Sequence, residues 1–284
     1  MDFESIVIAA MLAAAMLHAL WHALVKSSLD PVSGLAGMNM VSGILGIALI
    51  PFVEPPNQAA LVILLFSLIF HSGYKFAIAY MYKRGDLGQV LPIARGATPI
   101  MATAGAFLFV NELPTVPQSI GIAVICLGVF LIVRDRLGNR LSTRTLLMGG
   151  VAGVMVATYT ITGGLGVRIN QDWFAYTVWL FALDGGTFVL AASMVRGRAL
   201  YRTVYREWRI TVLTGLLGSA SFGIFFWAMR VSPIGIVASL RETSILFATL
   251  IGVLLLREPL SMSRVMGAVS ITGGVILFLA YKIS

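Results

Sequence analysis

GDLGQVLPIARGATPIMATAGAFLFVNELP (85–114) and VSPIGIVASLRETSILFATLIGVLLLREPL (231–260) are the stretches whose comparison decides the fold. Each holds an apolar run close to the roughly 20 residues that a bilayer crossing needs. Each also carries an arginine near its start. Sliding one onto the other by a constant 146 positions pairs Arg95 with Arg241, Ala102 with Ala248, Thr103 with Thr249 and Glu112 with Glu258. The same offset pairs Gly121 with Gly267 and Gly128 with Gly274, with no gap between the first match and the last. A register held over that distance marks an internal duplication.

The rest of the chain fits that beginning. Of 284 residues, 58% are hydrophobic and only 11% are charged, and the mean hydropathy is +0.93. That is too little charge to cover a soluble surface. Ten apolar segments are long enough to span: roughly 5–25, 32–53, 58–82, 88–110, 117–134, 145–167, 172–195, 209–230, 234–256 and 262–282. Connectors such as DPVSG, VEPPNQ and NELPTVP separate them. Backbone groups in lipid must be satisfied within the segment, so these runs are helices. The expected fold is an all-α integral membrane protein with ten transmembrane helices. It divides into two five-helix repeats, 1–140 and 141–284. Five is odd, so the second repeat is inverted relative to the first. Inverted repeats of this kind characterise secondary transporters, whose site lies near the midplane between the halves. The acidic N-terminus MDFES runs straight into a long apolar stretch, which reads as the first span rather than a cleaved leader.

The formal net charge is +8, and its distribution excludes a nucleic-acid reading. The odd-numbered connectors carry Lys26; Lys83 and Arg84; Arg134, Arg136, Arg140 and Arg144; Arg196, Arg198, Arg202, Arg206 and Arg209; and Arg257 and Arg264. These 14 cations face 3, Arg168, Arg230 and Lys282, in the even connectors and at the ends. The positive-inside rule then expects a plasma or inner membrane protein with odd connectors in the cytoplasm and both termini outside. The basic segment RGRALYRTVYREWR (196–209) reads as a loop lying on anionic headgroups. The lone Cys126 cannot form an intrachain disulfide.

An ionisable residue inside a span is costly, so it is a site candidate by default. The spans hold Lys75, Arg95 and Arg241 against Asp184 and Glu242, together with His18, His22 and His71. Each arginine lies about seven residues, or roughly 10 Å, inside its helix start, Arg95 entering from one side and Arg241 from the other. Both therefore approach the midplane. A guanidinium forks onto two oxygens and keeps its charge, so Arg95 and Arg241 are expected to hold a carboxylate, phosphate or phosphonate. Pairing with Asp184 or Glu242 is the architectural alternative. Glu242 directly follows Arg241, which sets the two about 100° apart around a helix. HALWHALVK (18–26) places His18, His22 and Lys26 on one stripe, and His71 and Lys75 are likewise four apart. Histidine changes charge near neutral pH, so these residues could carry a coupling proton or contact substrate. Lys75 would assist, and Tyr74, Tyr159, Trp179 and Trp227 could line the cavity. Tyr82, Trp173, Trp208 and Tyr281, at helix ends, read as interface anchors. GGVAG (149–153) and GAVSITGG (267–274) suit close helix packing. The ligand clusters of a metal site and the motifs of an ATP-driven pump or hydrolase are not apparent in the sequence, so no metal, no cofactor and no enzymatic activity are expected.

FLFVNELPTVPQSIGIAVICLGVFLI (107–132) and VLLLREPLSMSRVMGAVSITGGVILF (253–278) each show a helix ending in a Glu motif, followed by a helix with spaced glycines. With the first helix ending WHALVK, the whole chain resembles the drug/metabolite transporter superfamily, specifically its EamA family. The resemblance implies a cavity lined mainly by helices 1, 3, 4, 6, 8 and 9 and alternating access without ATP. It implies a substrate among amino acids, other small metabolites or drugs. The expected function is a permease for a small anionic or zwitterionic organic solute, able to act as a monomer in the lipid bilayer, with its oligomeric state left open and a proton as candidate coupling ion. Alternatives are a flippase for an anionic lipid-linked headgroup and an exporter of cationic drugs.

Overall fold

The computed structural model describes residues 3–84, 93–96, 98–137, 143–254 and 261–281. The described residues form α-helices joined by short connectors. In the first half these are α1 (Phe3–Ser27), α2 (Pro31–Leu49), α3 (Gln58–Tyr82), α4 (Thr98–Val110) and α5 (Val116–Leu137). In the second they are α6 (Thr143–Asn170), α7 (Trp173–Arg196), α8 (Arg198–Arg206), α9 (Trp208–Val231), α10 (Ile234–Arg241), α11 (Thr243–Leu254) and α12 (Met262–Tyr281). The local sequence explains several starts. Asp30 caps α2 by accepting from Ser33 N at 3.1 Å, and Pro31 follows in the first turn, where a missing N–H costs nothing. Asn57 caps α3, accepting from Ala60 N at 2.9 Å, and Asp172 caps α7, accepting from the Phe174 and Ala175 amides. Gly197, at φ +55°, takes a backbone conformation open to glycine and separates α7 from the short α8.

The protein is a multi-pass integral membrane protein. Nine helical stretches among the described residues are long and apolar enough to cross a membrane; Ile93–Val110 and Ile234–Leu254 each count as one. The apolar part of α5, Val116–Ile132, is shorter. The burial pattern agrees. Large apolar side chains such as Ile44, Ile69, Leu108, Phe109 and Val269 face outward, while His18, Lys75, Arg95, Arg241 and Glu242 are inside.

Helices pack most extensively across the duplication rather than within each half: α1 on α9, α3 on α6, α2 on α7 and α5 on α12. The last two pairs join repeat-equivalent helices and run antiparallel. Along α5 and α12, Gly121 meets Gly274 and Gly128 meets Gly267, so closely that a Cβ on Gly128 would stand 2.6 Å from Gly267 O. Along α2 and α7, Gly43 meets Gly185 and Gly46 meets Ala182, again backbone against backbone.

Among the described residues, the first, third and seventh connectors meet at one end. Asp30 accepts from Lys83 at 2.7 Å and from Arg196 at 2.9 and 3.0 Å, and Glu207 accepts from Leu29 N. Burial alone would raise the Asp30 carboxyl. The hydrogen bonds from Lys83, Ser33 and Arg196 outweigh it and hold the group down to about 2. Even connectors gather at the other end, where Arg168 holds Glu112 and the carbonyls of Met229 and Ser232. Glu112 also accepts from Ile234 N at 2.9 Å, capping α10. Two expectations change. Arg264, assigned above to a connector, is buried in the first turn of α12. Tyr82, assigned as an interface anchor, is also buried, with its hydroxyl on His22. Arg140, Arg257, Glu258 and Lys282 lie outside the described residues.

Candidate functional site

The arginine-bearing spans are not continuous helices. Helix ends at Arg241, turns at Glu242 and restarts at Thr243. In the first repeat it ends at Arg95, turns at Gly96 and resumes from Thr98. Equivalent positions are thus broken in both repeats. In the second, tighter bonds bridge the gap, Glu242 N to Ser239 O at 3.1 Å and Ile245 N to Glu242 O at 2.9 Å. The hydroxyl of Thr243 donates to Leu240 O at 2.7 Å, satisfying a backbone group at a break in lipid-depth structure.

Around the breaks sit two clusters. In the first, Arg95 forks onto Glu242, Nη2 to Oε1 at 2.7 Å and Nε to Oε2 at 3.3 Å, with both side chains at most 1% exposed. The pair crosses from one repeat to the other. Arg241 has no carboxylate partner among the described residues. Its Nη2 faces His18 Nδ1 at 3.3 Å, its Nε and Nη1 have no hydrogen-bond partner, and its guanidinium lies over Phe225 (3.8 Å) and Phe222 (4.4 Å). His18 Nε2 contacts Arg95 Nη1 at 3.4 Å and His22 Nε2 at 2.9 Å; His22 Nδ1 bonds to the Tyr82 hydroxyl, and the His22 ring stacks on Trp21.

In the second cluster Lys75 Nζ donates to Asp184 Oδ2 at 2.5 Å and to Asn39 Oδ1 at 2.7 Å, and His71 Nδ1 lies 3.5 Å from the same carboxylate oxygen. A cavity of about 30 Å³, large enough for water, is lined by Asn39, Ser42, His71, Lys75, Asp184 and Phe222 among others. Phe222 also carries Arg241, so it separates the two clusters. Tyr159 spans them too, with its ring 4.2 Å from His71 and 5.7 Å from Tyr74.

The structure thus brings together Arg95, Arg241, Glu242, His18 and His22, and beside them Lys75, His71, Tyr74 and Tyr159. It does not bring in Trp227, which packs edge-on against Phe3 near the start of α1. Arg95 is paired with Glu242, the carboxylate named above as its architectural alternative. Sequence reading missed Asn39 and Tyr82. Asn39 was visible as a carboxamide in an otherwise apolar span. Tyr82 falls seven residues after Lys75 and eleven after His71, on the same helical stripe. Among the described residues no three His, Cys, Asp or Glu side chains gather as metal ligands would.

The sequence profile of the EamA-like transporter family matches residues 5–134 and again residues 143–280. No curated protein matches significantly. A solved structure described only as "Crystal structure of protein" is similar over 98% of this chain and 96% of its own, with a TM-score of 0.72 at 14% identity. At that identity the likeness concerns the fold alone.

Proposed function

Because the chain belongs to the EamA-like transporter family, not an enzyme family, we propose that it is a secondary active transporter. It would move a small anionic or zwitterionic organic metabolite, of amino acid, carboxylate or phosphonate type, by alternating access. One observation carries the substrate class: in the two clusters Arg95 is neutralised by Glu242 and Lys75 by Asp184, which leaves Arg241 as their cation without a carboxylate partner among the described residues. Such a charge is expensive inside a bilayer unless a ligand completes it. The acid group would sit on the free Nε and Nη1 of Arg241. Lys75, His71, Tyr74 and Tyr159 would border the remainder of the solute beyond Phe222.

We infer a ten-span arrangement in which residues 1–140 and 141–284 form inverted five-helix repeats. The antiparallel packing of α2 on α7 and of α5 on α12 supports it, as do the helix breaks at Arg95 and Arg241. The membrane would be a plasma or inner membrane. The 14-to-3 distribution of cations supports both termini lying outside. A cationic drug finds less support, because both carboxylates in the clusters already hold internal cations. A flippase has one observation in its favour: an apolar groove of about 560 Å³ between α4 and α5, open to the lipid-facing side and lined by Ile100, Thr103, Phe107 and Cys126. Lipid scrambling in liposomes would favour that reading.

The experiment is thermal stabilisation of the purified protein by glutamate, succinate, aminomethylphosphonate and a cationic drug. A ligand that binds only the folded state raises the melting midpoint by mass action. An acid-bearing compound should raise it in wild type and not in Arg241→Gln. A rise with the cation alone would overturn the substrate class.

A further inference from the structure

We infer that His18, His22 and Tyr82 form a proton path that links the Arg241 anion site to the odd-connector end of the molecule. This rests on the proposed transport function and names its coupling group. The path is a row of direct contacts: Arg241 Nη2 to His18 Nδ1 at 3.3 Å, His18 Nε2 to His22 Nε2 at 2.9 Å, and His22 Nδ1 to the Tyr82 hydroxyl. Both histidines are fully buried. They stand one turn apart on α1, which carries the row about 6 Å toward the end of that helix. Tyr82 is the last residue of α3, and the next residue, Lys83, is held by Asp30 at the odd connectors.

The donors and acceptors fix a direction. Arg241 offers an N–H to His18 Nδ1 at 3.3 Å and Arg95 offers one to His18 Nε2 at 3.4 Å, so the imidazole between them is neutral. The shorter contact, Nε2 to His22 Nε2 at 2.9 Å, is assigned the ring hydrogen, donated to His22, with Nδ1 accepting from Arg241. His22 in turn carries its hydrogen on Nδ1 and donates to Tyr82. When a substrate acid draws the Arg241 N–H groups away, His18 Nδ1 is free to take a proton. The hydrogen on His18 Nε2 then moves to His22 Nε2, that on His22 Nδ1 moves to the Tyr82 oxygen, and the original Tyr82 hydrogen passes to water at the odd-connector end, the proton taken at His18 having come from water on the substrate side. One proton enters at His18 and one departs at Tyr82, and both rings end in the opposite tautomer. The charged and titratable groups facing the row are Arg95 with its partner Glu242, Arg241, Tyr82 and, beside Tyr82, Tyr74; Trp21 and Phe222 supply the apolar walls. His71 stands apart, on Asp184.

The test is ¹⁵N NMR of histidine-labelled full-length protein, whose three histidines are assigned by single His→Gln variants. Tyr82→Phe removes an acceptor two contacts away from His18. If the row is connected, the protonated nitrogen changes on both His22 and His18. If these are packing contacts only, His22 alone responds, and the inference falls. Should Tyr82→Phe not fold, His18→Gln read at His22 decides the same point, because a connected row again moves the hydrogen on the remaining ring. In liposomes, pH-gradient-driven uptake of glutamate or succinate by His22→Gln should fall at least about tenfold, while equal exchange persists, as expected when a positioned proton carrier is lost. Equal loss of uptake and exchange would overturn coupling through His22. If no acid-bearing probe stabilises the protein, the transport reading fails, and the NMR result still decides the row.

Discussion

Arg95 and Arg241 occupy the same position in the two repeats, at the same break in the same span, and their surroundings are opposite. Arg95 has a two-pronged carboxylate partner; Arg241 has a histidine nitrogen and two phenylalanine faces. The asymmetry traces to one position. The residue after Arg241 is Glu242, and its repeat equivalent after Arg95 is Gly96. Glu242 does not reach back to its neighbour. It crosses to the other repeat and neutralises Arg95, leaving its own arginine bare. A duplication supplies two equal cations near the centre, and a single carboxylate pairs with one and leaves the other open for the binding role proposed above.

The largest effect should come from breaking the scaffold pair. Glu242→Leu leaves Arg95 buried and unpaired, and should cost about 3–5 kcal/mol in thermal or denaturant unfolding. The double variant Arg95→Met with Glu242→Leu should recover most of that loss, because the two residues act as a unit. Lys75→Met sharpens the comparison in the second cluster. It should cost about 3 kcal/mol, at the lower end, since His71 stands 3.5 Å from the stranded Asp184 and can take a proton to re-pair it. Packing between the repeats comes next. Gly128→Val drives a side chain into Gly267 O and should cost about 1–3 kcal/mol, while Gly150→Ala, which meets nothing within 4 Å, should be neutral or stabilising by up to about 1 kcal/mol.

The smallest effect lies at the odd-connector end. Because the Asp30 carboxyl is depressed in the folded protein, its contribution is present above the ordinary carboxylate range and lost as pH falls toward about 2. The difference in unfolding free energy between wild type and Asp30→Asn should stay constant from neutral pH to about 5 and fall away as pH drops to about 2, with a size of about 1 kcal/mol or less.

The sequence made the helices, the duplication and the central cations legible because these depend on local hydropathy and on spacing along one chain. The break at Gly96 also had local warrant, since Pro99 follows in the restarting turn. The break at Glu242 had none: Ile245 stands where the first repeat has Pro99. The Arg95–Glu242 pair was beyond reach because it depends on how two helices from different repeats are rotated against each other. The same holds for Tyr82. Its place at a helix end argued for an interface anchor, and only the packing of α1 against α3 turns its hydroxyl onto His22. Nor could spacing along one chain show that the main helix contacts run between residues 1–140 and 141–284.

The measurement that tests the account most directly is the melting midpoint of ligand-free Arg95→Gln and Arg241→Gln, side by side in one detergent. The account predicts opposite behaviour. Arg95→Gln strands Glu242 and melts well below wild type. Arg241→Gln removes an uncompensated buried charge and melts at or above it. Equal losses in both would mean that Arg241 is as much a part of the scaffold as Arg95, and the assignment of the binding group would fall.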